Sequence, residues 1–494
     1  MDIQEAKEEI KRTLRAYTQK EPDGSHYRIP VQKQRPILLI GPPGIGKTAI
    51  MTQIAQEEQV GLVSYTMTHH TRQSAIGLPV LKEKEYGGKE YSVTEYTMSE
   101  IVAAIYDEME ETGQETGILF LDEINCVSET LAPVMLQLLQ NKTFGSHPIP
   151  SGWLIVGAGN PPEYNRSVRE MDVVTLDRVR YMDIQADLDI WRTYAAQNDI
   201  HPSIPAFLTV YPQSFYQIGQ TELEKTFVTA RGWEDLSCIL YAYEEMGETV
   251  TEHLILQYLH SVGIAREFFL FYGLFSHYEQ AYRENYPAAT RENAEKLKTA
   301  GAGECMAVAA VLAAQVIGRA QDWGAYGDLT RYITQVVKDY QEGKKPCLVK
   351  DIDGEITRRK NALQVNVKHG LITMEEEEKE EALLYFLEEW QQEAEMEHAG
   401  PASAYILTER LDIRREKERE LVEKAAVCME EAYALLDHVP VGAARQYFTA
   451  ALIQDPACGR FLAEHPQEVF TRQSGELLVS RQEEELRRQV EQMV

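Results

Sequence analysis

Short apolar runs alternate with helix-like segments through the first 160 residues of the chain. The apolar runs are residues 37–40, 62–67, 117–121 and 154–157. The helical segments between them lie near residues 47–57, 98–111 and 128–140. An amphipathic helix is also predicted over residues 2–18. Continuous apolar strands separated by helices are typical of a parallel sheet covered by helices on both faces, so the pattern predicts an α/β domain.

Beyond residue 186 the periodicity becomes helical and strand signals nearly vanish. The predicted helices cover residues 187–198, 230–246, 250–259, 264–282, 306–320 and 374–397, with a last charged helix near 479–490. Glycine-containing breaks fall at residues 301–303 and 343–346. The acidic residues of 374–397 are interpreted as a solvated helix face, with a docking tail as the alternative. The predicted domains are residues 1–186 (α/β), 187–285 (helical) and 286–494 (helical).

The chain is strongly acidic, with 49 lysines and arginines against 78 aspartates and glutamates, a net charge of −29. Such a field repels nucleic-acid backbones and anionic lipid. The six cysteines include no Cys-x-x-Cys pair, which indicates reduced thiols. The charged start resembles no signal peptide, and no apolar run reaches the roughly 18–20 residues of a membrane span. We therefore expect a cytoplasmic protein without a membrane or nucleic-acid partner.

Residues 41–48, directly after the first apolar run, read Gly-Pro-Pro-Gly-Ile-Gly-Lys-Thr. Two glycines with four residues between them, followed by Lys and Thr, form the phosphate loop of nucleotide-binding proteins. The glycines let backbone N–H groups turn toward phosphate oxygens, and the next helix adds its positive end. We expect Lys47 to reach the β- and γ-phosphates of ATP and Thr48 to bind Mg²⁺. The predicted nucleotide-binding residues are Gly41, Pro42, Pro43, Gly44, Ile45, Gly46, Lys47, Thr48 and Ala49.

Two carboxylates follow the apolar run at residues 117–121. The end of a buried parallel strand points at the ligand crevice, where Asp122 can hold the shell of Mg²⁺. Glu123 can orient and partly deprotonate an attacking water. Adjacent strand residues point in opposite directions, so two roles fit one strand end. The alternative is that these residues cap the helix predicted at 128–140.

A third polar residue, Asn160, follows the next apolar run and precedes Pro161-Pro162. Its amide can hydrogen-bond the γ-phosphate or the attacking water. Asparagine before proline is also an ordinary turn former, which is the structural alternative.

These motifs, in this order, resemble those of AAA+ ATPases and, more narrowly, of the MoxR branch, over about residues 28–275. The resemblance makes the three motifs Walker A, Walker B and sensor 1. Residues 175–178 (Thr-Leu-Asp-Arg) look like the arginine-finger segment, which makes Arg178 the candidate and Arg180 the alternative. Residues 229–233 (Thr-Ala-Arg-Gly-Trp) look like sensor 2 on a helical lid, with Arg231 as its arginine. Ala230 departs from the proline that the family more often has there.

Two further segments resemble insertions of the same branch. Residues 78–96 contain Gly87-Gly88 between two alternating runs, a hairpin signal at the place of the helix-two insert. Residues 142–152 resemble the hairpin before sensor 1. The resemblance implies that both face the pore of a ring; the alternative is that they are plain surface hairpins.

The expected protein is thus a P-loop AAA+ core with an all-helical lid and a helical C-terminal region. The expected activity is Mg²⁺-dependent ATP hydrolysis, with Glu123, Asn160, Arg178 and Arg231 as catalytic residues and Thr48 and Asp122 as metal ligands. The resemblance implies a homo-oligomeric ring, a hexamer, that remodels a partner protein with a von Willebrand factor A domain. A nucleotide-gated scaffold and a nucleic-acid motor are the competing hypotheses.

Overall fold

The computed structural model describes the chain except residues 22–26, 70–74, 146, 165–167, 169–170, 221–224, 342–351, 369–373, 397–402, 441 and 476–494. The chain divides into two compact units. The first contains residues Met1–Ala195 and Tyr211–Arg266, and the second contains Ala196–Val210 and Glu267–Val494. This division differs from the three predicted domains, since a predicted boundary at 285/286 falls inside one continuous helix. The predicted break at 343–346 and the helix near 479–490 lie outside the described residues.

Helices and strands alternate up to residue 197. In chain order they are α1 (Ile3–Thr18), β1 (Ile37–Ile40), α2 (Lys47–Glu58), β2 (Gly61–Thr66), β3 (Pro79–Tyr86), β4 (Lys89–Tyr96), α3 (Glu100–Thr112), β5 (Gly117–Asp122), α4 (Ala132–Asn141), β6 (Thr143–Phe144), β7 (His147–Pro148), β8 (Trp153–Gly159), α5 (Val173–Leu176), β9 (Arg180–Asp183) and α6 (Leu188–Gln197).

The remaining elements are mostly helical. They are α7 (Ser203–Val210), β10 (Gln217–Gln220), β11 (Lys225–Val228), α8 (Ala230–Met246), α9 (Glu252–Leu259), α10 (Val262–Leu297), α11 (Ala302–Gln341), α12 (Ile352–Lys368), α13 (Met374–Met396), α14 (Ser403–Leu436), α15 (Gly442–Gln454) and α16 (Pro456–Glu464).

The first unit is built on a five-stranded sheet in the order β2-β5-β8-β1-β9, with every neighbouring pair parallel. Successive side chains of β5 enter different cores: Phe120 packs in the cluster with α1 and α2, and Leu119 in the cluster with α3 and α4. Both faces are therefore covered, which is why the three inner strands, β5, β8 and β1, are buried and apolar almost throughout. The predicted parallel sheet flanked by helices, with a helical C-terminal region, is confirmed.

The carboxyl ends of the inner strands meet at one edge of this sheet. Ile40 at the end of β1 pairs with Gly159 at the end of β8, and Asp122 at the end of β5 pairs with Thr66 of β2. The loops that follow these strands carry the predicted motifs, so the register itself brings those motifs together.

Both predicted hairpins form. Strands β3 and β4 pair antiparallel around Gly87 and Gly88, which adopt left-handed φ angles of +61° and +78°. Strands β6 and β7 form a shorter hairpin, and the His147 ring nitrogen lies 3.2 Å from the Tyr96 carbonyl oxygen at the base of the longer one.

Strand β9 and the hairpin β10–β11 were not predicted; the hairpin is an exception to the expectation that strand signals nearly vanish beyond residue 186. Strand β9 lies at the sheet edge, where exposed side chains such as Tyr181 replace the continuous apolar run of a central strand. The hairpin β10–β11 has strands of only four residues, too short for a clear alternating pattern.

The second unit is a helical assembly around α11, which packs against α7, α13, α14, α15 and α16. The sequence analysis found no uninterrupted apolar run of span length, whereas α11 is a candidate span by length and composition alone. More than half of its apolar stretch is buried inside the structure, as in the core helix of a globular unit. Helix α13 buries one apolar side, so its predicted amphipathic character is confirmed. Those buried residues are Leu383, Leu384, Phe386, Leu387 and Trp390.

Candidate functional site

The loop between β1 and α2 has the backbone of a phosphate-binding turn. Gly44 and Gly46 adopt left-handed φ angles of +72° and +90°, which other residues rarely adopt. A Cβ on Gly44 would also lie 3.0 Å from the Thr229 side chain. Helix α2 begins at Lys47 without a side-chain N-cap, because Gly46 precedes it. Its first N–H groups, with the positive end of the helix dipole, are therefore available to an anion.

Lys47 is buried at the floor of this turn, with 8% of its surface exposed. Its Nζ donates to the carbonyl oxygens of Gly41 (2.7 Å) and Pro42 (2.8 Å) and to Oδ1 of Asn160 (2.9 Å). Burial lowers the pKa of Lys47 to about 8; the Arg231 charge adds to this decrease and the Asp122 charge opposes it. Only neutral oxygens accept its hydrogen bonds, so an anion arriving here gains a cation that is poorly compensated.

Thr48 and Asp122 form the oxygen pair expected of a metal site. The Thr48 hydroxyl donates to Oδ2 of Asp122 over 3.1 Å. No group of three or more His, Cys, Asp or Glu residues that could hold a metal occurs among the described residues. A hydroxyl and one carboxylate suit Mg²⁺, which keeps several waters and takes further oxygens from phosphates instead of needing an all-protein cage.

Glu123 stands beside Asp122 but is held differently. Its backbone has a left-handed φ of +55°, and its N–H donates to Oδ1 of Asp122 over 2.8 Å. Its Oε2 accepts a 2.8 Å hydrogen bond from the hydroxyl of Thr68, directly after β2. Helix α4 begins at Ala132, so the alternative that these carboxylates cap it is wrong. Thr68 is a site residue that the sequence interpretation missed.

Asn160 is fixed from both sides. Its side chain accepts from Lys47, and its carbonyl oxygen accepts from Nδ2 of the buried Asn125 over 2.8 Å. A Cβ on Gly159 would lie 2.3 Å from Oδ1 of Asn125, so this approach requires glycine. Asn125 is the last residue of the segment 121–125 (Leu-Asp-Glu-Ile-Asn), which includes the two carboxylates. It is the second site residue that the sequence interpretation missed.

The two predicted arginines lie in different surroundings. Arg231 is the second residue of α8. Its backbone N–H donates to the Gly44 carbonyl oxygen over 3.2 Å, and its charge contributes to the lowered pKa of Lys47. Arg178 follows α5 and is exposed, and within the described residues no hydrogen bond or ion pair joins it to Lys47, Asp122 or Glu123. Arg180, the alternative to Arg178, is engaged by Glu9 and Thr13 of α1.

A tyrosine from the later part of the first unit also contacts the loop. The Tyr216 hydroxyl donates to the Pro43 carbonyl over 2.8 Å, and burial raises the pKa of Tyr216 above its usual range. This hydrogen bond ties the loop to the segment that leads into β10, a contact that no local sequence signal indicates.

Similarity to known families covers the region of this site. The sequence model of the AAA domain (dynein-related subfamily) matches residues 36–179, which contain β1, the phosphate loop and the two carboxylates. The prediction of an AAA+ nucleotide-binding domain is thereby confirmed for this segment, whereas the MoxR branch is not. No curated protein sequence matches the chain.

Many solved structures align with part of the chain, and two of them illustrate the level of similarity. A candidate ATPase of Cytophaga hutchinsonii is 19% identical over 39% of this chain and 51% of its own, with a TM-score of 0.23. A RuvB variant of Thermotoga maritima is 17% identical over 41% of this chain and 53% of its own, with a TM-score of 0.25. The chain thus spans about half the length of each, and similarity this low carries no functional argument.

Proposed function

We propose that the chain is a Mg²⁺-dependent ATPase of MoxR type that works as a homo-oligomeric ring and remodels a partner protein. The observation that carries the ATPase assignment is the meeting of Lys47, the Thr48–Asp122 pair and Asn160 below one glycine turn. We call this set, with residues 41–46 and Arg231, the phosphate crevice.

Binding of the triphosphate follows from the groups that this crevice leaves available. When the triphosphate binds, its oxygens accept hydrogen bonds from the uncapped N–H groups of α2 and from the Lys47 ammonium. When bound, Mg²⁺ would supply positive charge that neutralises charge developing on the phosphates during transfer. Thr48 and Asp122 would hold the metal from the protein side, and Arg231 adds a second positive charge from the start of α8.

Water activation is assigned to Glu123. Its carboxylate follows the strand that ends in Asp122, and the Thr68 hydroxyl fixes one of its oxygens at 2.8 Å. The other oxygen can accept a proton from the attacking water. Asn160 is assigned the role of orienting the same water or the γ-phosphate. Its side-chain oxygen becomes available for this when Lys47 donates to the phosphates instead.

Arg178 is assigned the role of an arginine finger acting on a neighbouring copy. Arg180 is already engaged by Glu9 and Thr13 of its own chain, whereas Arg178 is exposed. An arginine delivered to the γ-phosphoryl oxygens stabilises transition-state charge and contributes roughly 10³–10⁵-fold in rate. Supplying it from a second subunit couples hydrolysis to assembly, which favours the ring.

The ATPase assignment is tested by the Glu123→Gln variant. We expect ATP binding close to that of the wild type and a steady-state rate lower by roughly 10²–10⁴-fold, because the general base is lost. Glu111→Gln, an exposed change on α3 with the same loss of charge, is the matched control and keeps full activity. A wild type with no turnover above that of Glu123→Gln would instead favour the nucleotide-gated scaffold.

Action in trans is tested by mixing. Arg178→Ala and Glu123→Gln are each expected to be nearly inactive, while an equimolar mixture regains part of the wild-type rate. Recovery occurs because an intact Arg178 then faces an intact Glu123 across some interfaces. Arg180→Ala instead removes contacts with α1 and leaves hydrolysis dependent on Arg178.

The partner is proposed to be a protein with a von Willebrand factor A domain. Glu123→Gln holds ATP without turnover and so retains a partner that binds the ATP state. Mass spectrometry of proteins that co-purify with it, against Lys47→Ala as control, tests this. Enrichment of nucleic acid instead of such a protein would favour the motor hypothesis.

A further inference from the structure

The hairpin β3–β4 buries almost nothing of itself. Every residue of β3 is exposed, and β4 has only two partly covered residues, Val93 and Glu95. The strands pair with each other and with no other strand of the described chain. An isolated two-stranded hairpin is marginally stable in water, so eight-residue strands presented this way would be stabilised by a further contact, which the described part of one copy does not supply.

The two faces of this hairpin carry opposite charge. Cross-strand pairs such as Lys84–Tyr91 and Tyr86–Lys89 place one set of alternate residues together, and pairs such as Glu83–Ser92 place the other. The basic face contains Lys82, Lys84, Lys89, Tyr86, Tyr91 and Glu95. The acidic face contains Leu81, Glu83, Glu85, Glu90 and Tyr96.

Neither face neutralises itself. On the basic face, Glu95 alone accepts ion pairs from both Lys82 (2.8 Å) and Lys84, which leaves lysine charge in excess. On the acidic face, none of the three glutamates has a cationic partner among the described residues. Glu85 lies directly opposite Glu90, a like-charge pair that destabilises a hairpin standing alone.

Apolar groups accompany the charge on both faces. On the basic face the rings of Tyr86 and Tyr91 lie 6.2 Å apart, and Tyr86 is 56% exposed. On the acidic face Leu81 is 74% exposed. Exposed aromatic side chains beside charged groups are the usual anchors of protein interfaces. The complement that each face needs is therefore present on the opposite face of the same hairpin.

We propose that the basic face of one hairpin packs on the acidic face of the hairpin of the next copy. This inference rests on the ring assembly proposed above and gives that ring its direction. The contact is head-to-tail, because the two faces lie on opposite sides of one ribbon and each copy offers both. The facing lysines would relieve the Glu85–Glu90 repulsion, and the tyrosine pair would pack beside Leu81.

The test is charge reversal with complementation, in the Glu123→Gln background with ATP. The basic-face variant carries Lys82→Glu, Lys84→Glu and Lys89→Glu; the acidic-face variant carries Glu83→Lys, Glu85→Lys and Glu90→Lys. Each alone then has two faces of like sign, so its dissociation constant for assembly should rise about tenfold or more. An equimolar mixture should assemble like the wild type, because in an alternating ring the reversed face of one variant meets the reversed face of the other, of opposite sign, and the two intact faces also meet.

The control reverses three exposed carboxylates of α3, with Asp107→Lys, Glu110→Lys and Glu111→Lys, and should assemble normally. Sedimentation velocity measures the assembly, and ATP affinity checks that each variant is folded. Normal assembly of both hairpin variants would overturn the inference while leaving the ring intact. If both hairpin variants assemble normally but the basic-face variant no longer binds an acidic peptide that the wild type binds, the hairpin contacts a substrate and not a neighbouring copy. A wild type that stays monomeric with ATP would remove the ring, whereas the ATP-binding assignment would stand.

Discussion

Two of the buried cations, one in each unit, have different surroundings. In the phosphate crevice, Lys47 is 8% exposed and donates only to neutral oxygens. In the C-terminal helical unit, Arg359 of α12 is 9% exposed and binds two carboxylates. Its guanidinium donates to both oxygens of Glu380 (2.9 and 2.7 Å) and to Glu355 (2.8 Å), and the Tyr332 hydroxyl also donates to Glu380.

The difference separates a site from a structural contact. Burying a charge is costly unless a counter-charge accompanies it. Arg359 has its counter-charges within the fold, so it joins α12 to α13 and offers nothing to a ligand. Lys47 donates to no carboxylate among the described residues, and burial, which the Asp122 charge only partly offsets, lowers its pKa. A triphosphate supplies the missing charge, so the comparison predicts that the first cation matters for binding and the second for stability.

Removing Lys47 should have the largest effect. Lys47→Ala deletes the charged donor to the phosphates, and we expect ATP affinity to fall by about 100-fold, from lost charge-assisted hydrogen bonds. Calorimetry or a fluorescent ATP analogue measures it. Arg12→Ala, an exposed change on α1, is the control. Unchanged affinity in Lys47→Ala would contradict the assignment of the phosphate loop.

Breaking the buried pair of the second unit should act on stability alone. Glu380→Gln leaves Arg359 with one carboxylate, and we expect about 2 kcal/mol less protection against opening of α12, since part of the pair is exposed. Hydrogen exchange of α12 amides measures this. Glu388→Gln breaks the exposed Lys360–Glu388 pair between the same helices and should change protection by less than about 0.5 kcal/mol. A loss of ATP affinity in Glu380→Gln would break the comparison.

The low pKa of Lys47 gives nucleotide affinity a pH dependence. Below pH 8 the ammonium is charged in the free protein, and above pH 8 it progressively loses its proton. We therefore expect ATP affinity to be about tenfold weaker at pH 9 than at pH 7. Lys47→Arg keeps its charge over this range and should show a flatter profile, whatever its absolute affinity. A flat wild-type profile would show that Lys47 stays protonated.

Lys142 sharpens the comparison, because it shares the neutral surroundings but lies outside the crevice. Burial lowers its pKa to about 8, and its Nζ donates to the Val31 carbonyl. Lys142→Ala should change ATP affinity by less than about twofold. Equilibrium binding beside Lys47→Ala checks this. Equal losses in the two variants would mean that burial of a lysine, and not its place in the crevice, controls binding.

The sequence specified the elements that are buried on both sides. Residues 37–40 are apolar without interruption, which only a covered central strand requires. Strand β9 escaped prediction because one side of an edge strand is free, so polar and aromatic residues are tolerated there. The predicted domain boundary at 285/286 fell within α10, which continues to Leu297.

The site residues also divide into those that the sequence predicted and those that it missed. Motif residues such as Lys47 and Asp122 are recognisable because phosphate and metal chemistry restrict residue type and spacing. Thr68 and Asn125 were missed because no spacing rule marks them in the sequence, and only the pairing of β2, β5 and β8 brings them to Glu123 and Asn160. The choice between Arg178 and Arg180 needed the contact with α1, which lies over 160 residues away in sequence.

The chain passes between its two units more than once. Residues Ala196–Val210 belong with the C-terminal unit, although the sequence on both sides of them belongs with the first. Within that segment Phe207 packs edge-on against Phe268 and Phe271 of α10. A protease cut or stop codon near residue 266 would therefore not release two self-sufficient halves. It would separate α7 from its aromatic neighbours and leave a cavity in the core of the C-terminal unit. During synthesis, α7 can therefore pack only after the later helices have been made.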